Sequence, residues 1–142
     1  MAVHAADFRG GDTMFGIFYP TGYVLSVFPD AAHADRAIAA LRAASFAPSD
    51  LVVATGPEVL EYSREMRAHP GLLARFERFV ADHYGGEGDL ADELVGLAER
   101  GHVFVATYAP DEAATERAAE AARPLAPVVL RKFDPLTFTN LH

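Results

Sequence analysis

A strand–helix–strand pattern occurs twice in the sequence, and this repeat limits the possible folds more than any other feature. In the first copy a short apolar run at 23–28 is followed by Pro29-Asp30, and apolar residues then recur at helical spacing over 31–45. A β-branched run at 51–55, bounded by Gly and Pro, completes the unit. Runs of this length and composition are typical of buried strands, and Asp30 is placed to cap the helix.

The second copy lies at the end of the chain. It consists of a strand-like run at 102–108, an Ala-rich segment at 111–123 and a closing run at 127–133. A shift of 81 residues superimposes Pro29-Asp30 on Pro110-Asp111, and it also aligns two Arg residues in each helix. Because the Pro-Asp pair stands at the same strand-to-helix junction in both copies, we interpret the chain as one βαβ unit repeated.

Two such halves predict an α+β fold of the ferredoxin-like split βαβ type, with a mainly antiparallel sheet and both helices on one face. The run at 14–19 precedes Pro20-Thr21-Gly22 and predicts a further strand that forms a hairpin with 23–28. The 142 residues fit one domain, 1–142, and we expect 1–12 to form a flexible leader.

A helical insertion at 57–100 separates the two halves. Apolar residues at helical spacing predict helices at 58–68, 72–84 and 89–100. Their apolar stripes require cover, so we expect the insertion to pack on the open face of the sheet, on itself or on a second subunit.

Composition excludes several classes of function. The formal charge of -8 and the pI of about 5.1 argue against binding to nucleic acid. The lack of Cys removes thiol nucleophiles and Cys-ligated metal centres. There is no run of 18 apolar residues and no signal-like start, so we expect a cytoplasmic protein without membrane contact.

The segment 23–56 resembles the opening of the bacterial general stress proteins of the YflT type, which are small domains of unknown function. The matching positions are apolar or Ala residues of the first strand and helix: Val24, Val27, Phe28, Ala34, Ala37 and Leu41. The segment 101–141 is similar to their second half, which closes with a strand and a short aromatic tail. This resemblance implies a small domain linked to stress physiology, with no reaction to transfer.

Glu61, Glu65 and His69 are the sharpest candidates for a metal site. Their spacing of four residues places them along one helical face, and carboxylate with imidazole suits iron, manganese or zinc. The competing interpretation is a solvated helix face, since Arg64 and Arg67 are interspersed.

Two other segments have structural and functional interpretations. The Gly-rich stretch 83–88 could bind an anion, but it follows a helix and precedes acidic residues, which favours a helix stop and connector. The C-terminal tail presents Leu136, Phe138 and Leu141, which we expect to dock on the same subunit or across a dimer.

The serines lack a G-x-S-x-G context and no H-E-x-x-H is present, so the sequence favours a non-enzymatic protein without a cofactor. We therefore predict a stress-associated binding or regulatory module that acts as a homo-oligomer, with a protein partner as a further possibility. The alternative is a small-molecule or metal-binding protein, or an enzyme, whose site lies between the sheet and the inserted helices.

Overall fold

The computed structural model describes residues 16–71, 74–75, 89–135 and 138–142. Five strands and four α-helices are defined there. In chain order they are β1 (Tyr23–Phe28), α1 (Ala31–Ala43), β2 (Leu51–Ala54), α2 (Gly56–Arg67), α3 (Asp89–Glu99), β3 (Val103–Tyr108), α4 (Glu112–Ala122), β4 (Val129–Phe133) and β5 (Phe138–Asn140).

The strands form one antiparallel sheet in the order β2-β3-β1-β4-β5. Helix α1 carries the chain from β1 to β2 past the position that β3 occupies, and α4 carries it from β3 to β4 across β1. The α+β class and the antiparallel sheet predicted from the sequence are therefore confirmed. Strand β5 extends the sheet beyond β4. It lies in the C-terminal tail, for which the sequence predicts no secondary structure.

The repeated Pro-Asp pair has the predicted role at both helix starts. Asp30 accepts a hydrogen bond from the His33 amide at 2.8 Å, and Asp111 accepts one from the Ala114 amide at 2.8 Å. Each carboxylate thereby satisfies an amide that the first helical turn leaves without a partner. The backbone hydrogen bond from His33 also lowers the pKa of Asp30.

Helices α1 and α4 pack side by side on one face of the sheet. Small residues dominate their buried sides, which lets both helices approach the strands closely. The helix residues in this cluster include Ala34, Ala37 and Leu41 of α1 and Ala114, Ala118, Ala119 and Ala122 of α4, and the strands contribute Val24, Phe28, Val103, Val105 and Leu130.

Helices α2 and α3 cover the opposite face, together with the 3-10 turn Gly16–Phe18. This second cluster includes Ile17, Phe18, Val59, Tyr62, Met66, Leu94, Leu97 and Ala98 above the sheet, and Tyr23, Leu25, Val27, Phe104, Ala106, Val129 and Phe133 within it. The described helices of the insertion thus pack on the open face of the sheet and on each other, which are two of the three expected arrangements. Both sides of β1 are buried, which explains why all of its residues except Ser26 are apolar or aromatic.

The predicted strand at 14–19 is wrong over the residues that the structure describes. Gly16–Phe18 is a 3-10 turn, and Thr21 donates its amide to the Tyr19 carbonyl at 2.9 Å. The apolar character of the segment instead serves packing, since Phe18 is buried and lies 5.6 Å from the Tyr62 ring. A run of aromatic residues signals burial as readily as it signals a strand.

Helix bounds differ modestly from the predicted ones. Helix α1 ends at Ala43 because the chain turns at Ser45, which has a positive φ of 75°. Helix α2 begins at Gly56, after a Thr55 side chain that accepts from the Glu58 amide, and ends at Arg67. The predicted leader 1–12 lies outside the described residues, and of the predicted helix 72–84 only 74–75 are described, as helical. Within the described ranges, no helix is both long enough and apolar enough to span a bilayer.

The two insertion helices meet where the backbone of α2 touches that of α3. A Cβ added to Gly56 would stand 2.4 Å from the Ala98 carbonyl oxygen, a distance that the backbone cannot relieve without moving. Gly101, with a φ of 82°, ends α3 beside this contact.

The Gly56→Ala substitution is expected to lower the free energy of unfolding by about 1–3 kcal/mol, because it forces α2 away from α3. The matched control is Gly96→Ala in α3, where a Cβ meets nothing within 4 Å. This change should be neutral or stabilise by up to about 1 kcal/mol, since Ala is the better helix former. Urea denaturation of both variants tests the contact, and equal effects would show that α2 and α3 do not approach as described.

Candidate functional site

Lys132 is the only lysine among 12 basic residues that are otherwise all arginine, and it is buried. It lies on β4 with 8 % of its surface exposed. Its register partners are Val24 on β1 and Thr139 on β5, so its side chain is on the face of the sheet that α1 and α4 cover. A charged group is costly to bury unless it is paired and hydrogen-bonded. The contacts of Lys132 therefore show how this cost is met.

The contacts of Lys132 account for only part of its hydrogen-bonding capacity. Its Nζ donates to the Thr115 hydroxyl at 3.0 Å. That hydroxyl in turn donates to the Asp111 carbonyl at 2.8 Å, which leaves its oxygen available as an acceptor. The Asp134 carboxylate stands 3.7 Å from Nζ, within ion-pair range but beyond a hydrogen bond. An ammonium has three N–H donors, so among the described residues two of them have no acceptor at hydrogen-bond distance.

An open cleft of about 440 Å³ lies above Lys132. Its first wall is the loop after β3 and the first turn of α4, with Pro110, Asp111, Glu112 and Thr115. Lys132 and Asp134, at the end of β4, form its floor and second wall. Thr139 and Leu141 of the C-terminal tail form the third. Three stretches of the chain, 110–115, 132–134 and 139–141, therefore meet at this end of the sheet.

The charge around the cleft is predominantly negative. Three carboxylates, those of Asp111, Glu112 and Asp134, surround the single ammonium of Lys132. Asp111 is engaged in capping α4. Glu112 is exposed and, within the described part of the chain, pairs with no other group, while Asp134 keeps 48 % of its side chain accessible. Two acidic groups are thus available to a ligand beside one buried cation.

Asp134 is positioned from the opposite face of the sheet. The Tyr19 hydroxyl donates to the Asp134 carbonyl oxygen at 2.7 Å, and the Tyr19 ring packs edge-on against Phe133 with centroids 4.8 Å apart. Tyr19, which follows the 3-10 turn Gly16–Phe18, therefore anchors the turn that carries Asp134.

Arg131 holds the C-terminal tail, which forms the third wall of the cleft, in place. This guanidinium forms a two-point ion pair with Glu93 of α3 at 2.8 and 2.9 Å, and its Nε donates to the Asn140 side chain at 2.9 Å. It also lies over the Phe138 ring. Because strand side chains alternate, Arg131 braces β5 from one face while Lys132 faces the cleft on the other.

The end of the chain is tied to its own sheet. The Leu141 amide donates to the Leu130 carbonyl at 2.8 Å, and the Leu141 carbonyl accepts from Arg123 Nε at 2.9 Å. Phe138 and Leu141 are half-buried, and Leu136 lies outside the described residues. The tail thus docks on its own chain, while a role of these three residues in an interface stays a prediction.

The three metal candidates lie on helix α2 and just beyond its end. Helix α2 ends at Arg67, so His69 lies beyond it and leaves the helical row of Glu61 and Glu65. No group of three His, Asp or Glu residues in the described ranges could hold a metal ion. Glu65 instead lies near Tyr62, whose pKa burial raises to about 12, with the Glu65 charge as the smaller cause. The Gly-rich stretch 83–88 lies outside the described residues.

The cleft residues were missed at the level of sequence because they come from segments that only the fold unites. One signal was present, the single lysine of the chain, which lies next to Arg131 in the closing strand of the second βαβ unit. No local spacing links Lys132 to Thr115 or Glu112. Comparison with protein-family models, with curated proteins and with solved structures finds no match for the chain.

The Thr115→Val substitution tests whether Lys132 depends on the hydroxyl above it. Removing the acceptor leaves a buried ammonium short of a hydrogen bond, so the free energy of unfolding should fall by about 1.5–3 kcal/mol. The Thr115→Ser control keeps the hydroxyl and should lose less. In a Lys132→Met background the cost of Thr115→Val should shrink by about 1 kcal/mol or more. Additive costs in this double-mutant cycle would contradict the contact.

Proposed function

We propose that the chain is a binding module that holds a small polar molecule in the Lys132 cleft. The observation that carries this proposal is the buried ammonium with two N–H donors that no described group accepts. Two ligand oxygens placed at Nζ would complete its hydrogen bonding and reduce the cost of keeping the charge out of water.

The dimensions and lining of the cleft support a small ligand. A volume of about 440 Å³ is within the range of small-molecule sites, roughly 300–1,000 Å³. The convergence of a lysine, hydroxyls and carboxylates with the apolar Leu141 provides polar groups that fix orientation beside a nonpolar wall. An ammonium flanked by a hydroxyl and a carboxylate is a point charge and a hydrogen-bond donor, which suits recognition of ligand oxygens.

This location differs from the alternative site predicted between the sheet and the inserted helices. The described part of that interface is lined by buried apolar and aromatic side chains of α2, α3 and the strands beneath them. The cleft is on the α4 side and uses the tail as a wall. We therefore place the proposed ligand on the α4 side.

We further propose that the sheet and its two covering helices are a ferredoxin-like split βαβ domain. The order β2-β3-β1-β4, with α1 and α4 on one face, supports this assignment. Strand β5 and the inserted helices are then additions to that framework. A cytoplasmic role in stress physiology remains a proposal that rests on the resemblance of 23–56 and 101–141 to general stress proteins.

A homo-oligomer is the second part of the proposal. Half-buried Phe138 and Leu141 leave apolar surface at the β5 edge of the sheet, which supports contact with a second copy there. Native mass spectrometry of the purified chain should give a multiple of 15.3 kDa, and Phe138→Ser should lower that multiple. A wild-type protein found only at the mass of one chain would contradict this part alone.

A thermal-shift screen tests the binding function. The library consists of amino acids, carboxylates, amines, sugars and phosphate esters, each at high concentration. A ligand at 100 times its Kd adds about 2.7 kcal/mol to the free energy of unfolding. For a chain of this length the melting temperature should then rise by roughly 5–10 °C.

Two variants locate the binding site. Lys132→Met should lose the shift, measured against its own unliganded melting temperature, while Arg36→Met should retain it. Arg36 is an exposed residue of α1, so this control makes the same change of charge away from the cleft. A library without any stabilising compound, or a hit that shifts Lys132→Met as much as the wild type, would contradict the proposal.

A further inference from the structure

We propose that the ligand of the Lys132 cleft is a small zwitterion with one carboxylate and one ammonium group, an amino carboxylate. This inference rests on the proposed binding function and specifies the class of molecule. It follows from the arrangement of charges, one buried cation below two available carboxylates on the rim.

Lys132 and the hydroxyl beside it define the end that receives the carboxylate. The two N–H groups of Nζ without a described acceptor can donate to carboxylate oxygens. Thr139 lines the cleft directly opposite Lys132 in the β4–β5 register and adds a hydroxyl donor. Charge-assisted hydrogen bonds of this kind are stronger than neutral ones, and the low exposure of Lys132 reduces competition from water.

Glu112 and Asp134 define the end that receives the ammonium. Both line the cleft, Glu112 from the first turn of α4 and Asp134 from the turn after β4. Asp134 is 3.7 Å from Lys132 Nζ, so a ligand that pairs with both groups must carry opposite charges close together. Short amino carboxylates have this property.

Ligands with a single charge fit less well. A simple anion at Lys132 would share the cleft with the carboxylates of Asp111, Glu112 and Asp134, and like charges repel. A simple cation at Glu112 and Asp134 would leave the Lys132 donors unsatisfied and would add a second positive charge near a buried one. The zwitterion alone pairs with both parts of the cleft.

Isothermal titration calorimetry with a graded series tests this inference. The probes are amino carboxylates with one to five carbons between the charged groups, together with butanoate and butylamine, which each lack one charge. At least one amino carboxylate should bind the wild type about tenfold more tightly than either single-charge compound, the ratio expected for one charge-assisted contact.

Variants on the two sides of the cleft should change selectivity in opposite directions. Asp134→Asn and Glu112→Gln should each weaken the amino carboxylate by about tenfold. Both should strengthen butanoate, because a repelling charge is removed. Glu120→Gln is the matched control, an exposed glutamate two turns further along α4, and it should change neither affinity. A purely structural role for Asp134 would lower both affinities together.

The outcomes separate this inference from the binding function itself. Equal affinity for butanoate and for every amino carboxylate, or binding by none of the series, would overturn the zwitterion. If the thermal-shift screen still finds a compound that depends on Lys132, the binding function stands with another ligand class. If the screen also fails, both proposals fail.

Discussion

Burial of both faces of the sheet is the constraint on which the rest of the structure depends. Strands β1, β3 and β4 present apolar side chains to α1 and α4 on one side and to α2, α3 and the segment at 16–19 on the other. Each large apolar side chain buried in this way contributes about 1.5–3 kcal/mol. The insertion is therefore part of the fold, since removing it would expose an apolar face.

A charged residue stands out against this apolar background. Lys132 occupies a sheet position at which its neighbours in register, Val24 and Thr139, carry no charge, and its ammonium is held by Thr115 and the nearby Asp134. A buried ion pair is weak evidence for stability, because desolvation offsets much of the attraction. From the other face of the sheet, Tyr19 holds the Asp134 carbonyl and Arg131 pairs with Glu93 of α3, and these contacts connect the packing of the insertion to the walls of the cleft.

The framework was predictable from the sequence because its signals are local. The Pro-Asp pairs at 29–30 and 110–111 fixed both helix starts, and apolar periodicity identified the strands between them. The strand prediction failed at 16–19 because aromatic residues are favoured both in strands and at buried positions outside strands. The cleft was not predictable, since Glu112, Lys132 and Thr139 lie on three elements with no common spacing. The metal hypothesis for Glu61, Glu65 and His69 relied on helical spacing that ends at Arg67.

Nuclear magnetic resonance of the single lysine tests the central claim most directly. Lysine labelled with ¹³C at its ε carbon gives one side-chain resonance in this chain, and that resonance reports only Lys132. On titration with the stabilising compound from the thermal-shift screen, we expect a saturable shift of this resonance with the Kd that calorimetry gives for the same compound. This shift should also be larger than any change in the resonance that the control substitution Glu120→Gln causes without ligand. A resonance that stays in place while the compound binds would show that the ligand lies elsewhere and that Lys132 is a structural residue.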